Sequence, residues 1–217
     1  MTTQDRLLDA AAAALAEDGV AGVSARTVAT RADVNQGLVF YHFGSVSGLL
    51  DAAVRRSVDL AVASYRDRLA DITTLAELMT VGRALHETER RSGNVVQMAQ
   101  VMAGAMRDET LASAARYAMD RWTSEIQSVL TRILPSSPLH GLVDPSALAR
   151  TIAAGFIGLE LYDAVDPDAA EAALGSLDTL GALVSAFDVL PPLAVRAVRN
   201  RMRRVLARTE AARAGAR

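Results

Sequence analysis

Residues 35–50, NQGLVFYHFGSVSGLL, place four ring side chains in succession inside a short apolar stretch. Phe40, Tyr41 and Phe43 are three of the nine aromatic residues in the chain, and His42 is one of its three histidines. Successive residues of a helix point about 100° apart, so a single helix cannot turn all four rings toward a core. Some of these rings must face outward, which predicts a binding surface.

The residues before this stretch predict two short helices joined by a tight turn. A helix over about 24–32, with Ser24 as its cap, is followed by a turn at 33–34 and a helix over about 35–42. An earlier helix over about 4–18 ends at Gly19, a residue typical of helix C-termini. Two short helices with a third behind them are typical of a helix-turn-helix.

The second short helix divides into an inward and an outward face. The inward set is Leu38 and Phe43 with either Val39 or Phe40, and the outward set is Gln36, Gly37, Tyr41 and His42. An outward glutamine can read an adenine edge, and a tyrosine or histidine can donate to a phosphate. The pattern therefore favours DNA as the partner of the exposed rings.

The rest of the chain reads as helix, and no segment alternates with the period of a strand. We expect further helices at about 46–71, 74–91, 94–106, 109–134, 145–163, 167–189 and 192–212. Asp144-Pro145 and Asp166-Pro167 each combine a capping carboxylate with a proline at the first helical position. The predicted fold class is all-α.

Composition excludes several kinds of site. The chain has no cysteine, so disulfides, thiolate zinc sites and cysteine nucleophiles are absent. The segment HETERR at 86–91 lacks the second histidine of a zinc-protease helix, and we expect neither a metal nor a cofactor. The acidic N-terminus does not read as a signal peptide, and no apolar run is long enough for a membrane, so we expect a soluble cytoplasmic protein.

Residues 5–50, DRLLDAAAAALAEDGVAGVSARTVATRADVNQGLVFYHFGSVSGLL, resemble the N-terminal domain of the tetracycline-repressor (TetR) family of bacterial regulators. The shared features are a first helix that ends in glycine and a recognition helix of the form Gly-x-x-Tyr-x-His-Phe, here Gly37 to Phe43. The resemblance implies a helix-turn-helix DNA-binding domain, here over 1–46, and a ligand-binding and dimerisation domain over 47–217. It implies a homodimer that releases a palindromic operator when a small molecule binds.

The resemblance and the outward face together predict the DNA-binding residues: Ser24, Arg26, Thr27, Asn35, Gln36, Gly37, Leu38, Tyr41, His42 and Ser45. The sequence departs from the family in two respects. Val46 stands where the family usually has a lysine that touches phosphate. Residues 1–56 also carry five arginines against six acids, so the head has no net positive charge for phosphate.

The C-terminal domain is expected to hold a pocket for a small apolar or amphipathic effector. The candidate lining is Met98, Met102, Tyr117, Trp122 and Phe156, with Gln97 or Glu160 as the orienting polar group. Methionines at this helical spacing more often belong to an ordinary core, and Tyr117 and Trp122 could equally line a pocket or a core.

The eighth predicted helix is apolar on two faces, so one face can serve the protomer and the other a second copy. The expected dimer interface comprises Gly155, Ile157, Gly158, Leu161, Gly181 and Ala182.

Two other functions remain open at the level of sequence. The chain could be a small helical enzyme that uses scattered carboxylates such as Glu87, Glu125 and Glu160, or a helical protein that has lost DNA binding. We expect no enzymatic activity, because no catalytic fingerprint is present. The arginine-rich run RAVRNRMRRVLAR reads as an amphipathic surface helix, with an added nucleic-acid contact as the alternative.

Overall fold

The computed structural model describes residues 1–92, 94–137, 139–186 and 190–214, and these residues contain ten α-helices and no strand. The helices are α1 (Thr3–Gly22), α2 (Ala25–Ala32), α3 (Gly37–Phe43), α4 (Val46–Ala70), α5 (Leu75–Ser92), α6 (Asn94–Ala105), α7 (Glu109–Ile133), α8 (Pro145–Asp163), α9 (Pro167–Ser185) and α10 (Pro192–Ala214). The all-α prediction is confirmed. The predicted end of the ninth helix, at 187–189, lies outside the described residues.

Side-chain caps fix most of the helix starts that the sequence predicts. The Ser24 hydroxyl accepts from the Thr27 amide at 3.1 Å, and the Ser45 hydroxyl accepts from the Gly48 amide at 2.9 Å. The Asp144 carboxylate accepts from the Ala147 amide at 2.8 Å at the start of α8. Each cap satisfies an amide that the first helical turn leaves without a partner.

The first helix continues beyond the predicted stop. Gly19 has φ +72° and interrupts the helical geometry, and a last turn then runs to Gly22. The Gln100 side chain of α6 accepts the Val20 amide at 3.0 Å, so a residue of the C-terminal domain satisfies the amide that the break exposes. The sequence marks the break correctly but does not reveal this partner.

A hydrophobic cluster joins the head, residues 1–56, to the body, the part of the chain from residue 57 onward. It contains residues of α1, α2 and α3 together with residues 49–62 of α4, and it continues into Val101 of α6 and Leu111 of α7. A second cluster fills the far half of the body, where Tyr65 and Leu69 of α4 pack near Leu130 of α7. The long helix α4 therefore belongs to both cores and connects head to body.

Helices α4 and α7 run in the same direction, and this fixes which end of the body faces away from the head. Ser47, at the start of α4, donates to Asp108 at the start of α7, at 3.0 Å. Near the other end, the Arg132 guanidinium donates to the Leu69 and Ile72 carbonyls. The loop that follows α7 is therefore remote from the head.

Helix α10 lies against that remote loop. Arg199 donates to the Ser137 carbonyl at 3.4 Å, and the Arg203 guanidinium lies beside Gly141. This placement agrees with a surface helix and separates its arginines from the head. No single described helix is long and apolar enough to cross a membrane, and α3 and α4 together reach that length only across a bend of 65°.

Candidate nucleic-acid interface and interior ligand site

The recognition face of α3 is divided as the sequence predicts. Val39 is fully buried and Phe40 is 52% exposed, which settles the alternative left open between them. Tyr41 is 81% exposed, and Gln36 and Gly37 are exposed beside it on the same short element. The hydroxyl of Tyr41 and the amide of Gln36 are therefore directed to solvent, whereas Leu38, Val39 and Phe43 pack on the head core.

His42 is only partly exposed, since it lies between two rings. Its ring centroid is 5.0 Å from that of Tyr41, edge-on, and 6.1 Å from that of Phe43. Leu38 is also half-buried and packs against the head core. These two residues border the recognition face, and their predicted DNA contacts stay predictions.

Residues at the edges of the helix-turn-helix are used partly for local structure. The Asn35 carboxamide oxygen accepts the Gly37 amide at 2.7 Å and thereby begins α3. The Ser24 and Thr27 hydroxyls bond each other at 3.0 Å in a capping box at the start of α2. Ser24, Thr27, Asn35 and Ser45 are all exposed, so each combines a capping bond with an accessible surface.

The turn between α2 and α3 has a side-chain clamp that local sequence patterns did not reveal. Asp33 adopts the left-handed conformation with φ +53°, and the Arg6 guanidinium from α1 donates to the Ala32 and Asp33 carbonyls. A guanidinium at a helix C-terminus satisfies carbonyls that lack helical partners. Arg6 is 26 residues from Ala32, so no short motif could identify the pair.

The predicted ligand residues come from three helices of the body. Met98 and Met102 of α6 are partly buried against the head-proximal cluster, and Trp122 of α7 packs against both clusters, with its ring centroid 6.0 Å from that of Tyr65. Phe156 of α8 is half-buried. The side chain of Gln97 lies outside the described residues.

Glu160 of α8 is buried and pairs with a residue that the sequence interpretation left unused. Its Oε1 lies 2.7 Å from Nδ1 of His86 on α5, and both side chains are at most 4% exposed. A buried carboxylate needs such a partner. The two residues are 74 positions apart, which explains why the pattern HETERR did not indicate this role for His86.

Tyr117 has a different environment from the other ligand candidates. Its hydroxyl donates to the Asp59 carboxylate at 2.9 Å, and the Arg55 guanidinium lies 4.5 Å from its ring centroid. The Tyr117 hydroxyl holds the pKa of Asp59 below its usual value, and Arg121 acts in the same direction. The structure thus assigns the hydroxyl to the outer contact between α4 and α7 rather than to the interior.

The predicted dimer residues separate into two groups. Gly155, Gly158 and Leu161 lie exposed on one side of α8 next to Tyr162, and Ala182 is exposed on α9, while Ile157 of α8 is half-buried. Gly181 is buried instead, because a Cβ there would lie 2.6 Å from the sulfur of Met79 on α5. Gly181 therefore permits close packing inside the protomer, and its place in a dimer interface stays a prediction.

Two family models match the chain. "Bacterial regulatory proteins, tetR family" matches residues 7–53, and "BetI-type transcriptional repressor, C-terminal" matches residues 75–180. The chain is similar to the HTH-type transcriptional regulator BetI of Paraburkholderia phytofirmans, 35% identical over 94 residues, which cover 42% of this chain and 48% of the relative. It thus spans about half the length of that curated relative.

Two longer matches extend the comparison. The HTH-type transcriptional regulator BetI 2 of Chromohalobacter salexigens is 26% identical over 174 residues, 78% of this chain and 81% of the relative. A crystal structure described as a TetR-family transcriptional regulator from Rhodococcus sp. superimposes with a TM-score of 0.66 at 25% identity, covering 82% of this chain and 97% of the other.

Proposed function

The chain belongs to the tetR family of bacterial regulatory proteins, and from that membership we propose that it is a ligand-responsive transcriptional repressor that acts in the cytoplasm. Its heads bind a palindromic operator in double-stranded DNA and leave it when a small molecule occupies the C-terminal domain. The observation that carries this proposal is the recognition face of α3, where Tyr41 is exposed opposite the buried Val39 and Gln36 is exposed at the N-terminal end of the helix.

The two classes of residue on the head have different roles in this proposal. Asn35, Gln36 and Gly37, at the start of α3, lie nearest the bases in the major groove, and Tyr41 and His42 contact flanking phosphates. Ser24, Arg26 and Thr27 on α2, with Ser45 at the start of α4, contact the DNA backbone. Leu38 offers an apolar contact at the edge of the base-reading face.

Dimerisation uses the exposed apolar side of α8 and α9. Leu161 and Tyr162 on α8 are 42% and 62% exposed, and Leu177 and Leu180 on α9 are 45% and 56% exposed. Exposed apolar side chains on two adjoining helices are typical of an interface, and a two-fold axis would place them against their own copies. Nothing lies within 4 Å of the Cβ positions at Gly155 and Gly158, so a partner helix can approach closely there.

The effector site lies between α5, α6, α7 and α8. Met98, Met102, Trp122 and Phe156 supply an apolar lining, and the Glu160–His86 pair supplies the polar group. A buried carboxylate favours a neutral or cationic effector with a hydrogen-bond donor over an anion. The effector is therefore a small apolar or amphipathic molecule.

Two measurements test this function. A duplex selected from a random pool should bind the protein in a gel shift. Compounds that quench the fluorescence of Trp122, the single tryptophan, should release that duplex. For a compound found in this way, Met102→Ala and Trp122→Phe should raise the concentration needed for release. If both variants release DNA at the wild-type concentration, the effector site is misplaced.

A further inference from the structure

The arginines of the head are mostly committed to the protein itself. Of the five arginines in residues 1–56, four bond acids or carbonyls: Arg6 with the turn at 32–33, Arg31 with Glu17 and Asp18, Arg55 with Asp51 and Ser113, and Arg56 with Asp9. Within the described part of the chain, Arg26 is the head arginine that has no such partner. One free cation is few for a domain that must neutralise phosphates.

A second free arginine, Arg107, lies in a segment of the body that is bonded to the start of α4. Arg107 is exposed in the segment between α6 and α7, and no acid pairs with it among the residues the structure describes. The next residue, Asp108, accepts the Ser47 hydroxyl at 3.0 Å, which ties this segment to the first turn of α4. The backbone is also fixed, because the Arg107 amide donates to the Gly104 carbonyl at 3.0 Å.

The neighbouring charges leave Arg107 available. The Asp108 carboxylate caps α7, where the Leu111 amide and then the Ser47 hydroxyl hold its pKa below the usual value. Its negative charge faces the positive end of that helix. Glu109 pairs with Arg116 at 2.6 Å. No neighbouring acid therefore neutralises the Arg107 guanidinium.

Val46 explains why a cation from elsewhere is needed at this position. Its side chain is half-buried and packs on the head core, so the first residue of α4 offers no charge to DNA. We propose that Arg107, from the effector domain, binds the DNA phosphate next to the start of α4. The inference rests on the proposed DNA-binding function and adds a contact outside the helix-turn-helix.

The test is the salt dependence of binding to a duplex selected with the wild-type protein. Each lost phosphate contact reduces the slope of log K against log salt by about 0.9, so Arg107→Gln should reduce it by about 1.8 per dimer. The affinity advantage of wild type over this variant should then shrink about tenfold between about 50 and 200 mM salt. Specific and unrelated duplexes should be affected alike.

Three further variants make the result interpretable. Arg107→Lys should keep the wild-type slope, because the contact needs a cation rather than a particular geometry. Arg150→Gln, an exposed arginine on α8, should also keep it, since the Glu109–Arg116 pair stays intact. Arg26→Gln should reduce the slope as Arg107→Gln does.

An unchanged slope in Arg107→Gln, with a reduced slope in Arg26→Gln, would overturn this inference and leave the proposed function standing. If the wild-type protein selects no duplex at all, the proposed function fails and this inference fails with it.

Discussion

At the scale of single residues, the head separates side chains that hold the fold from side chains that face a partner. Val39 and Tyr41 are two positions apart on α3, yet one is fully buried and the other is 81% exposed. A helical period makes such a split possible within one turn. Gln36, which precedes the first residue of α3, is also exposed and offers both a donor and an acceptor to a base edge.

Gln36 and Tyr41 should give different signatures when they are changed. Gln36→Ala should weaken the preference at one base pair of each half-site by roughly 1–3 kcal/mol, because it removes a contact to a base edge. Tyr41→Phe should weaken binding to all duplexes nearly alike, because a lost phosphate contact carries no sequence information. Competition binding against single-base variants of the selected duplex measures both effects, and swapped signatures would contradict the assigned roles.

The sequence predicted which side chains of the head are exposed better than it predicted the contacts that support them. The outward set on α3 followed from helical spacing alone, since Gln36 and Tyr41 are local to one element. The clamp from Arg6 to the turn and the Glu160–His86 pair join residues 26 and 74 positions apart. Such pairs depend on how helices pack, and a single sequence carries no local signal for them.

At the scale of elements, the break in α1 is the feature that most depends on one residue. Gly19 is buried with φ +72°, and a Cβ there would lie 2.3 Å from the Gln100 carboxamide oxygen. Any side chain would therefore meet both an unfavourable backbone conformation and the group that accepts the Val20 amide.

Gly19→Ala should destabilise the protein by about 1–3 kcal/mol, the cost of a strained backbone together with a disturbed buried hydrogen bond. Gly175→Ala is the matched control, because Gly175 is exposed within α9 and nothing lies within 4 Å of its Cβ position. Alanine there should stabilise by roughly 0.5–1 kcal/mol through helix propensity. Urea unfolding of both variants measures the difference, and equal effects would contradict the packing described at Gly19.

Helix boundaries were the most predictable part of the fold. Caps at Ser24, Ser45 and Asp144 and the Asp-Pro starts are local signals, and the structure places helices at each of them. The neighbour that each helix face packs against was less predictable, and Gly181 is an example. A small residue permits close approach by any neighbour, and in this fold the neighbour is Met79 of the same protomer.

At the scale of the whole molecule, the apolar side of α8 and α9 should bring two chains together. Leu180→Glu should convert the dimer into monomers at micromolar concentration, because a carboxylate in an apolar interface costs several kcal/mol. Leu60→Glu is the control, since Leu60 is an equally exposed leucine on α4, away from that surface. Sedimentation equilibrium gives the masses. A monomeric wild-type protein, or a dimer that survives Leu180→Glu, would contradict the proposed interface.

The central claim is that exposed α3 reads DNA, and selection of bound duplexes from a random pool tests it most directly. The wild-type protein should enrich a palindrome whose half-sites lie about one helical turn apart, as two heads in successive major grooves require. The Gln36→Ala protein, selected in parallel, should enrich a palindrome with one base pair of each half-site relaxed. A wild-type pool that remains random after repeated selection would contradict the claim.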